Sequence, residues 1–285
     1  MLLVTGCGPL GSRLVKTLGK AGEVKCVCDK EHAGSECLKY DIKNNDEIAG
    51  IVNELKPAKM VLTEDLPDIE YCEQNRMYAM EYNTRGTRYF VEAGIAAGSR
   101  VTYVSTAYVF DGRKADGMYT EDDKVNPINV YGETRLMGEV ATDKAPDYLI
   151  FRMGEAYGDY SGNFVKKVYD SLKAGVTIEL ARDMYFSPIF IDDAAEAVAK
   201  LVSENMNGVY NLAGPERISQ YEMGLKIAKV FGLREDLLVP LSADELGLTV
   251  RMPRDLSLDV SKILMIAKIR GIDEGLEALK KSMGV

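Results

Sequence analysis

Two groups of residues in this chain have the types and spacing for chemistry. The first is Gly6-Cys7-Gly8-Pro9-Leu10-Gly11, which follows the apolar run Leu2-Leu3-Val4. A G-x-G-x-x-G loop needs its first glycine for a tight turn and its second where backbone must approach a pyrophosphate. The third lets helix and strand pack closely. The helix that follows offers free N–H groups and partial positive charge to the diphosphate. Gly6, Gly8, Pro9, Leu10 and Gly11 are therefore candidate cofactor-binding residues. The second group is Ser105-Thr106, at the end of an apolar run, with Tyr131 and Arg135 further on. Tyr131 and Arg135 stand four apart in a helical pattern and share a face. A free phenol titrates near 10, and a fixed cation lowers that value. Thr106 can donate to a substrate carbonyl. Together these are the parts for hydride transfer with Tyr131 as proton donor or acceptor.

Acidic residues refine the cofactor. Asp29 ends the second strand, roughly twenty residues after the glycine loop, where an acid accepts the adenosine ribose hydroxyls. Its charge opposes a 2′-phosphate, so NAD is expected ahead of NADP. Tyr40-Asp41-Ile42 follows. Asp41 could reach the adenine amino group, or cap the next helix.

These residues need a scaffold, and the N-terminal half alternates strand and helix. Strands are expected at 2–5, 23–28, 36–40, 60–63, 100–105 and 148–152. Helices are expected at 10–18, 46–56, 78–97 and 129–142. The alternation implies a doubly wound parallel sheet of the Rossmann type. The second half is less regular, with helices expected at 164–173, 192–203, 220–231 and 259–269. Short strands are expected at 177–180, 189–191 and 209–212. This suits a dinucleotide-binding domain over 1–150, with 185–212 returning to it, and a smaller substrate lobe over 151–285.

Composition bounds the rest. A chain of 285 residues that is 46% hydrophobic can bury a sizeable core. The net charge of −9, with no Lys/Arg run, argues against a nucleic-acid partner. No run approaches a membrane span, and Met1–Thr5 is too short for a signal-peptide core, so a cytoplasmic protein is expected. The cysteines are Cys7, Cys26, Cys28, Cys37 and Cys72, and the odd, scattered set argues against a disulfide framework. Cys26 and Cys28 share one strand face without a matching downstream pair and read as core. His32 is the only histidine, which nearly excludes a His-based triad or metal site. No metal ligand is assigned.

Several segments carry a family resemblance. Val104-Ser105-Thr106-Ala107-Tyr108-Val109-Phe110-Asp111-Gly112 resembles the S-T-D-Y-V-F-D-G strand of the dTDP-4-dehydrorhamnose reductase group. Pro127-Ile128-Asn129-Val130-Tyr131-Gly132 resembles the lead into that group's Y-x-x-x-K helix. Arg152 with Tyr157-Gly158, Gly162-Asn163-Phe164, Ser187-Pro188-Ile189, Tyr210–Gly214 and Met252-Pro253-Arg254 match later landmarks. The resemblance covers nearly the whole chain and places it among extended short-chain dehydrogenases/reductases. It implies an NAD(P)-dependent reductase of a keto-sugar nucleotide, commonly a homodimer. Thr106 and Tyr131 would polarise and protonate the keto group, and Arg135 would bind the nicotinamide ribose and tune Tyr131. The C-terminal lobe would hold the nucleotide-sugar, with Arg152, Asn163, Lys166, Lys167, Arg182, Arg251 and Arg254 as candidate contacts.

The chain departs from the family in four places. Its glycine loop is one residue shorter. Arg135 replaces the usual lysine, and the two cations are not interchangeable. Leu62-Thr63-Glu64-Asp65 replaces N-A-A, and two carboxylates there would oppose anion binding unless they point away. Ala107 replaces the Asp of S-T-D, and the family's Trp has no counterpart, so substrate recognition is expected to differ. Two other readings stay open. One is a non-catalytic dinucleotide-binding regulatory subunit, like the β subunit of methionine adenosyltransferase. The other is a sugar-nucleotide epimerase or dehydratase.

Overall fold

The computed structural model describes residues 1–30 and 37–285. His32 and the start of the strand expected at 36–40 lie outside the described residues. The chain begins β1 (Leu2–Thr5), α1 (Pro9–Leu18), β2 (Val24–Asp29), β3 (Leu38–Tyr40), α2 (Asn45–Leu55) and β4 (Lys59–Leu62). Pro9 opens α1 at a position where its missing N–H costs nothing. Asn44 caps α2 by accepting from the Glu47 N–H. After β4 come α3 (Ile69–Gln74), α4 (Arg76–Ala79), a π-helical segment (Met80–Gly86), α5 (Thr87–Ala97) and β5 (Arg100–Thr106). Next are α6 (Val130–Thr142) and β6 (Tyr148–Met153).

One long helix was expected over 78–97, and the structure divides it. The Asn83 side chain accepts from the Leu66 N–H and donates to Thr134 Oγ1. The wider turn that holds Asn83 there belongs to the π-helical segment, a feature common near functional sites.

The second half supplies β7 (Ala156–Tyr157), α7 (Phe164–Lys173), β8 (Ile178–Ala181), β9 (Tyr185–Phe186), β10 (Ile189–Phe190), α8 (Ile191–Ser203) and β11 (Gly208–Leu212). It closes with β12 (Ile218–Ser219), α9 (Gln220–Phe231), β13 (Leu238–Leu241), β14 (Asp255–Leu256), α10 (Ser261–Leu264) and α11 (Ile272–Met283). The helix expected at 259–269 shrinks to α10, and α11 was not anticipated. Its signal is the apolar spacing Ile272, Leu276, Leu279 after Gly271, all three buried.

Seven parallel strands form one sheet in the order β11-β6-β5-β4-β1-β2-β3. Apolar side chains are buried on both faces of the central strands, as a doubly covered parallel sheet requires. The strand order turns back between β1 and β4, which is where such sheets open a crevice at their C-terminal ends. β11 pairs with β6 at the edge of this sheet and α8 packs on α1, while β9 and β10 pair in small separate sheets. A separate core, including Tyr157, Val168, Met223, Ile227 and Leu276, builds the lobe that overhangs the crevice.

Candidate active site

The crevice holds a cavity of about 890 Å³, lined by the glycine loop, the ends of β4 and β5, α6 and the C-terminal lobe. That volume suits ligands larger than a simple metabolite. At its floor, the loop glycines meet the demands read from the sequence. Gly6 has φ +86°, a conformation that costs an L side chain dearly. A Cβ on Gly11 would lie 1.9 Å from the Gly6 carbonyl oxygen. A Cβ on Gly8 would meet nothing within 4 Å, so its backbone faces open cavity. Thr63 Oγ1 donates to the Thr5 carbonyl at 2.6 Å and ties β4 to the loop. The loop and the start of α1 thus fit a diphosphate.

The acids do not sit as the sequence suggested. Asp29 is buried, and its carboxylate accepts from the Ile42 N–H at 2.8 Å. It does not line the cavity, so the expected contact to the ribose is replaced by one that fixes the loop after β3. Asp41 pairs with Lys30 at 2.6 Å, while Asn44 caps the helix. Neither Asp41 nor Ile42 lines the cavity. The carboxylate that does face it from this end is Glu64. Glu64 accepts from Tyr40, Tyr82 and the Asp29 N–H, and burial raises its pKa against those hydrogen bonds.

The candidate catalytic residues converge. Asn129 caps α6 and sets the register that turns Tyr131 and Arg135 toward the ends of β4 and β5. The Tyr131 hydroxyl donates to Asp65 Oδ2 at 2.9 Å, and its ring meets Tyr108 edge-on. Thr106, at the tip of β5, lines the same wall. Burial and the Asp65 charge push the Tyr131 pKa well up, while Arg135 and a Thr106 hydrogen bond pull it down. Tyr131 therefore holds its proton. Arg135 is 2% exposed. It donates to the Glu64 carbonyl at 2.8 Å and to the Val104 carbonyl, and lies 3.5 Å from Asp65 Oδ1. Its Nε is buried with no hydrogen-bond partner. Glu64 and Asp65 thus point into the site.

The substrate candidates fare differently. Arg152 is buried in a two-nitrogen pair with Glu139, whose carboxylate also accepts from Ser105. Arg152 is a core ion pair and does not reach the cavity. Asn163 lines the cavity, but its side chain is engaged in capping α7 and in the Gly158 and Tyr160 carbonyls. Lys166 pairs with Asp170, Arg182 with Glu245, and Arg254 with Asp183 and Asp244. None of these cations, nor Lys167 or Arg251, lines the cavity. Among the described residues Arg135 is the only Lys or Arg that does, against Glu64, Asp65, Asp68 and Glu155. Sequence reasoning missed Glu155, whose carboxyl is pushed up to about 7 by burial. It stands two residues past the end of β6, at the mouth of the lobe.

The cysteines also differ from expectation. Cys28 lies within disulfide distance of both Cys7 and Cys37, with Cα–Cα separations of 5.9 Å each. Cys7 Sγ is 3.2 Å from Cys26 Sγ. Cys26 and Cys28 have no matching pair downstream, but they are not isolated core side chains. The glycine loop supplies one of the partners from upstream.

A sheet switch point with a glycine loop, and a buried Tyr beside a strand-end Thr, define a dinucleotide-dependent reductase-type α/β protein. The chain belongs to the RmlD substrate binding domain family, whose model matches residues 1–283. It is 30% identical over 234 residues to a dTDP-4-dehydrorhamnose reductase of Aggregatibacter actinomycetemcomitans, covering 79% of this chain and 77% of that protein. It is 26% identical over 280 residues to methionine adenosyltransferase 2 subunit beta of Danio rerio, covering 93% and 84%. The crystal structure of a dTDP-4-dehydrorhamnose reductase from Clostridium acetobutylicum superposes with a TM-score of 0.91 at 26% identity, covering 100% and 99%.

Proposed function

We propose that this protein reduces a keto group on a nucleotide-activated sugar, with NAD(P)H as reductant and Tyr131 as proton donor. The observation that carries this reading is the Tyr131 phenol, buried in the same cavity as Thr106 and the open Gly8 backbone. NAD(P)H, when bound, supplies the hydride. The Leu10 and Gly11 amides at the start of α1 hold the diphosphate, since Pro9 has no N–H and Ser12 already donates to Gly8. Thr106 orients the keto oxygen toward Tyr131, which gives up its proton as charge develops there. Arg135, fixed by two strand-end carbonyls, stabilises the resulting tyrosinate. The Glu64 carboxylate, which faces the cavity at the adenosine end, favours NAD over NADP. With no Lys or Arg but Arg135 on the wall among the described residues, the sugar's own diphosphate is held toward the solvent side.

We further propose a homodimer in the cytoplasm. Met137 and Val140 are exposed on one face of α6, 48% and 53% respectively. Among the described residues no helix is long and apolar enough to cross a membrane. The chain is proposed to divide at residue 150, with 185–212 rejoining the first domain, and the separate core of the overhanging lobe supports this reading.

The test is NADH and NADPH oxidation with dTDP-4-dehydrorhamnose, in the wild type and in Tyr131→Phe. The variant is expected to lose about 10²–10⁴ in kcat, with cofactor affinity kept. Tight cofactor binding without turnover on any keto-sugar nucleotide would instead favour a regulatory subunit. The Asp65 carboxylate facing Tyr131, which opposes tyrosinate, and the kinship with methionine adenosyltransferase subunit beta favour that second reading.

A further inference from the structure

Four of the five cysteines gather at one point of the fold, beside the proposed cofactor loop. Cys7 comes from the glycine loop, Cys26 and Cys28 from one face of β2, and Cys37 from the approach to β3. The sulfurs of Cys7, Cys28 and Cys37 all lie within 4.8 Å of one another, and Cys26 Sγ is 3.2 Å from Cys7 Sγ. Cys28 is buried and the other three are half-buried.

A disulfide does not account for this group. Sulfur forms one S–S bond, so Cys28 can be linked to Cys7 or to Cys37 but not to both. Either choice leaves two of the four sulfurs outside the bond. A single soft cation can bind several such sulfurs at once. Tetrahedral zinc with Zn–S bonds of about 2.3 Å places its sulfurs roughly 3.8 Å apart. That is inside the 4.8 Å that holds Cys7, Cys28 and Cys37 together, and Cys26, next to Cys7, would close in as the fourth ligand. We propose that Cys7, Cys26, Cys28 and Cys37 form a four-thiolate site for a zinc ion that clamps the glycine loop to β2 and β3. Each thiol binds as thiolate and releases its proton to solvent, with no change of oxidation state.

The test uses the full-length protein, purified under reductant, given Zn²⁺ and dialysed. One zinc per chain is expected by elemental analysis. Co²⁺ in its place should give the intense near-ultraviolet thiolate-to-metal absorption. Cys26→Ser and Cys37→Ser, neither of which lines the cavity, should each lower zinc retention at least tenfold. Cys72→Ala should retain it, because Cys72 lies apart, donating to the Leu66 carbonyl. Circular dichroism of each variant separates lost metal from lost fold. If a serine variant fails to fold, blocking of the four thiols by Zn²⁺ in the wild type, read by thiol reagent with and without chelator, decides the matter. Absence of retained zinc in folded, reduced protein overturns the proposal. So does full zinc retention in folded Cys26→Ser and Cys37→Ser, or an intact mass lighter by two hydrogens under reductant with Cys28 cross-linked.

Discussion

Replacing Asp65 with Asn isolates the group that sets the Tyr131 proton affinity. The phenol donates to Asp65 Oδ2 at 2.9 Å, so loss of its proton would set two anions side by side. At an effective dielectric of about 20, two charges roughly 3 Å apart repel by about 6 kcal/mol. Asp65 is 32% exposed, and Arg135 stands 3.5 Å from its other oxygen. Solvent and that counter-charge reduce the repulsion to about 3 kcal/mol, roughly two pK units. Asn keeps an acceptor beside the phenol and removes the charge, leaving Arg135 to act on Tyr131 unopposed. The sign follows directly. Carbonyl reduction needs the protonated phenol and is lost as pH rises through its pKa. That limb lies well above 10 in the wild type and should fall by about two units in Asp65→Asn. The reverse reaction needs tyrosinate and should set in at correspondingly lower pH. Profiles of kcat/KM for both directions measure the shift. Ultraviolet difference titration of Asp65→Asn against Asp65→Asn/Tyr131→Phe measures it without turnover. An alkaline limb that stays put, or moves upward, refutes the assignment.

Other substitutions test separate parts of the structure. Gly8→Ala should leave the melting temperature within about 2 °C of wild type, because its Cβ meets open space, yet weaken NAD(P)H binding at least tenfold by titration calorimetry. Gly11→Ala, whose Cβ would strike the Gly6 carbonyl, should lose both stability and binding. Arg152→Met leaves the buried Glu139 carboxylate without its counter-charge, held only by the Ser105 hydroxyl, and should cost about 3–5 kcal/mol in denaturant unfolding. Glu155 has a folded pKa raised from 4.5 to about 7, so the folded state binds the extra proton and loses stability as pH climbs between those values. Glu155→Gln should therefore raise the melting temperature fully above about pH 7 and not at all below about pH 4.5, by calorimetry across pH.

What could be read in the sequence was what is local. The G-x-G-x-x-G loop fixes its own geometry through three glycines, and Tyr131 and Arg135 share a face by helical spacing alone. Both are found in place. Asp29 is of the right type at the right spacing, yet the Ile42 amide on the neighbouring strand's exit captures its carboxylate. Arg152 looked like an anion ligand, but Glu139 on α6 neutralises it across a contact no local pattern encodes. The π-helical turn at Asn83 serves hydrogen bonds to Leu66 and Thr134, distant in sequence, so periodicity reads through it as an unbroken helix. Cys7 and Cys26 meet only because β1 and β2 pair in register, with Val4 opposite Cys26.

The substitution of Arg135 for lysine follows from the same non-local logic. The Glu64 carbonyl lies just past the end of β4 and the Val104 carbonyl near the end of β5, its neighbour in the sheet, and the Arg135 guanidinium donates to both. A planar fork can join two diverging acceptors and still keep its charge under Tyr131. An ammonium on a flexible stem would follow the stronger local field, which here is the Asp65 carboxylate. Lysine would then be drawn into an ion pair and leave the phenol with weaker support. The pair Asp65 and Arg135 is thus one arrangement: an acid at this position requires a cation anchored by something other than that acid. Asp65→Asn should accordingly make Arg135→Lys tolerable, restoring in the double variant most of the kcat that Arg135→Lys alone loses. A double variant no more active than Arg135→Lys alone would show that the two positions act independently.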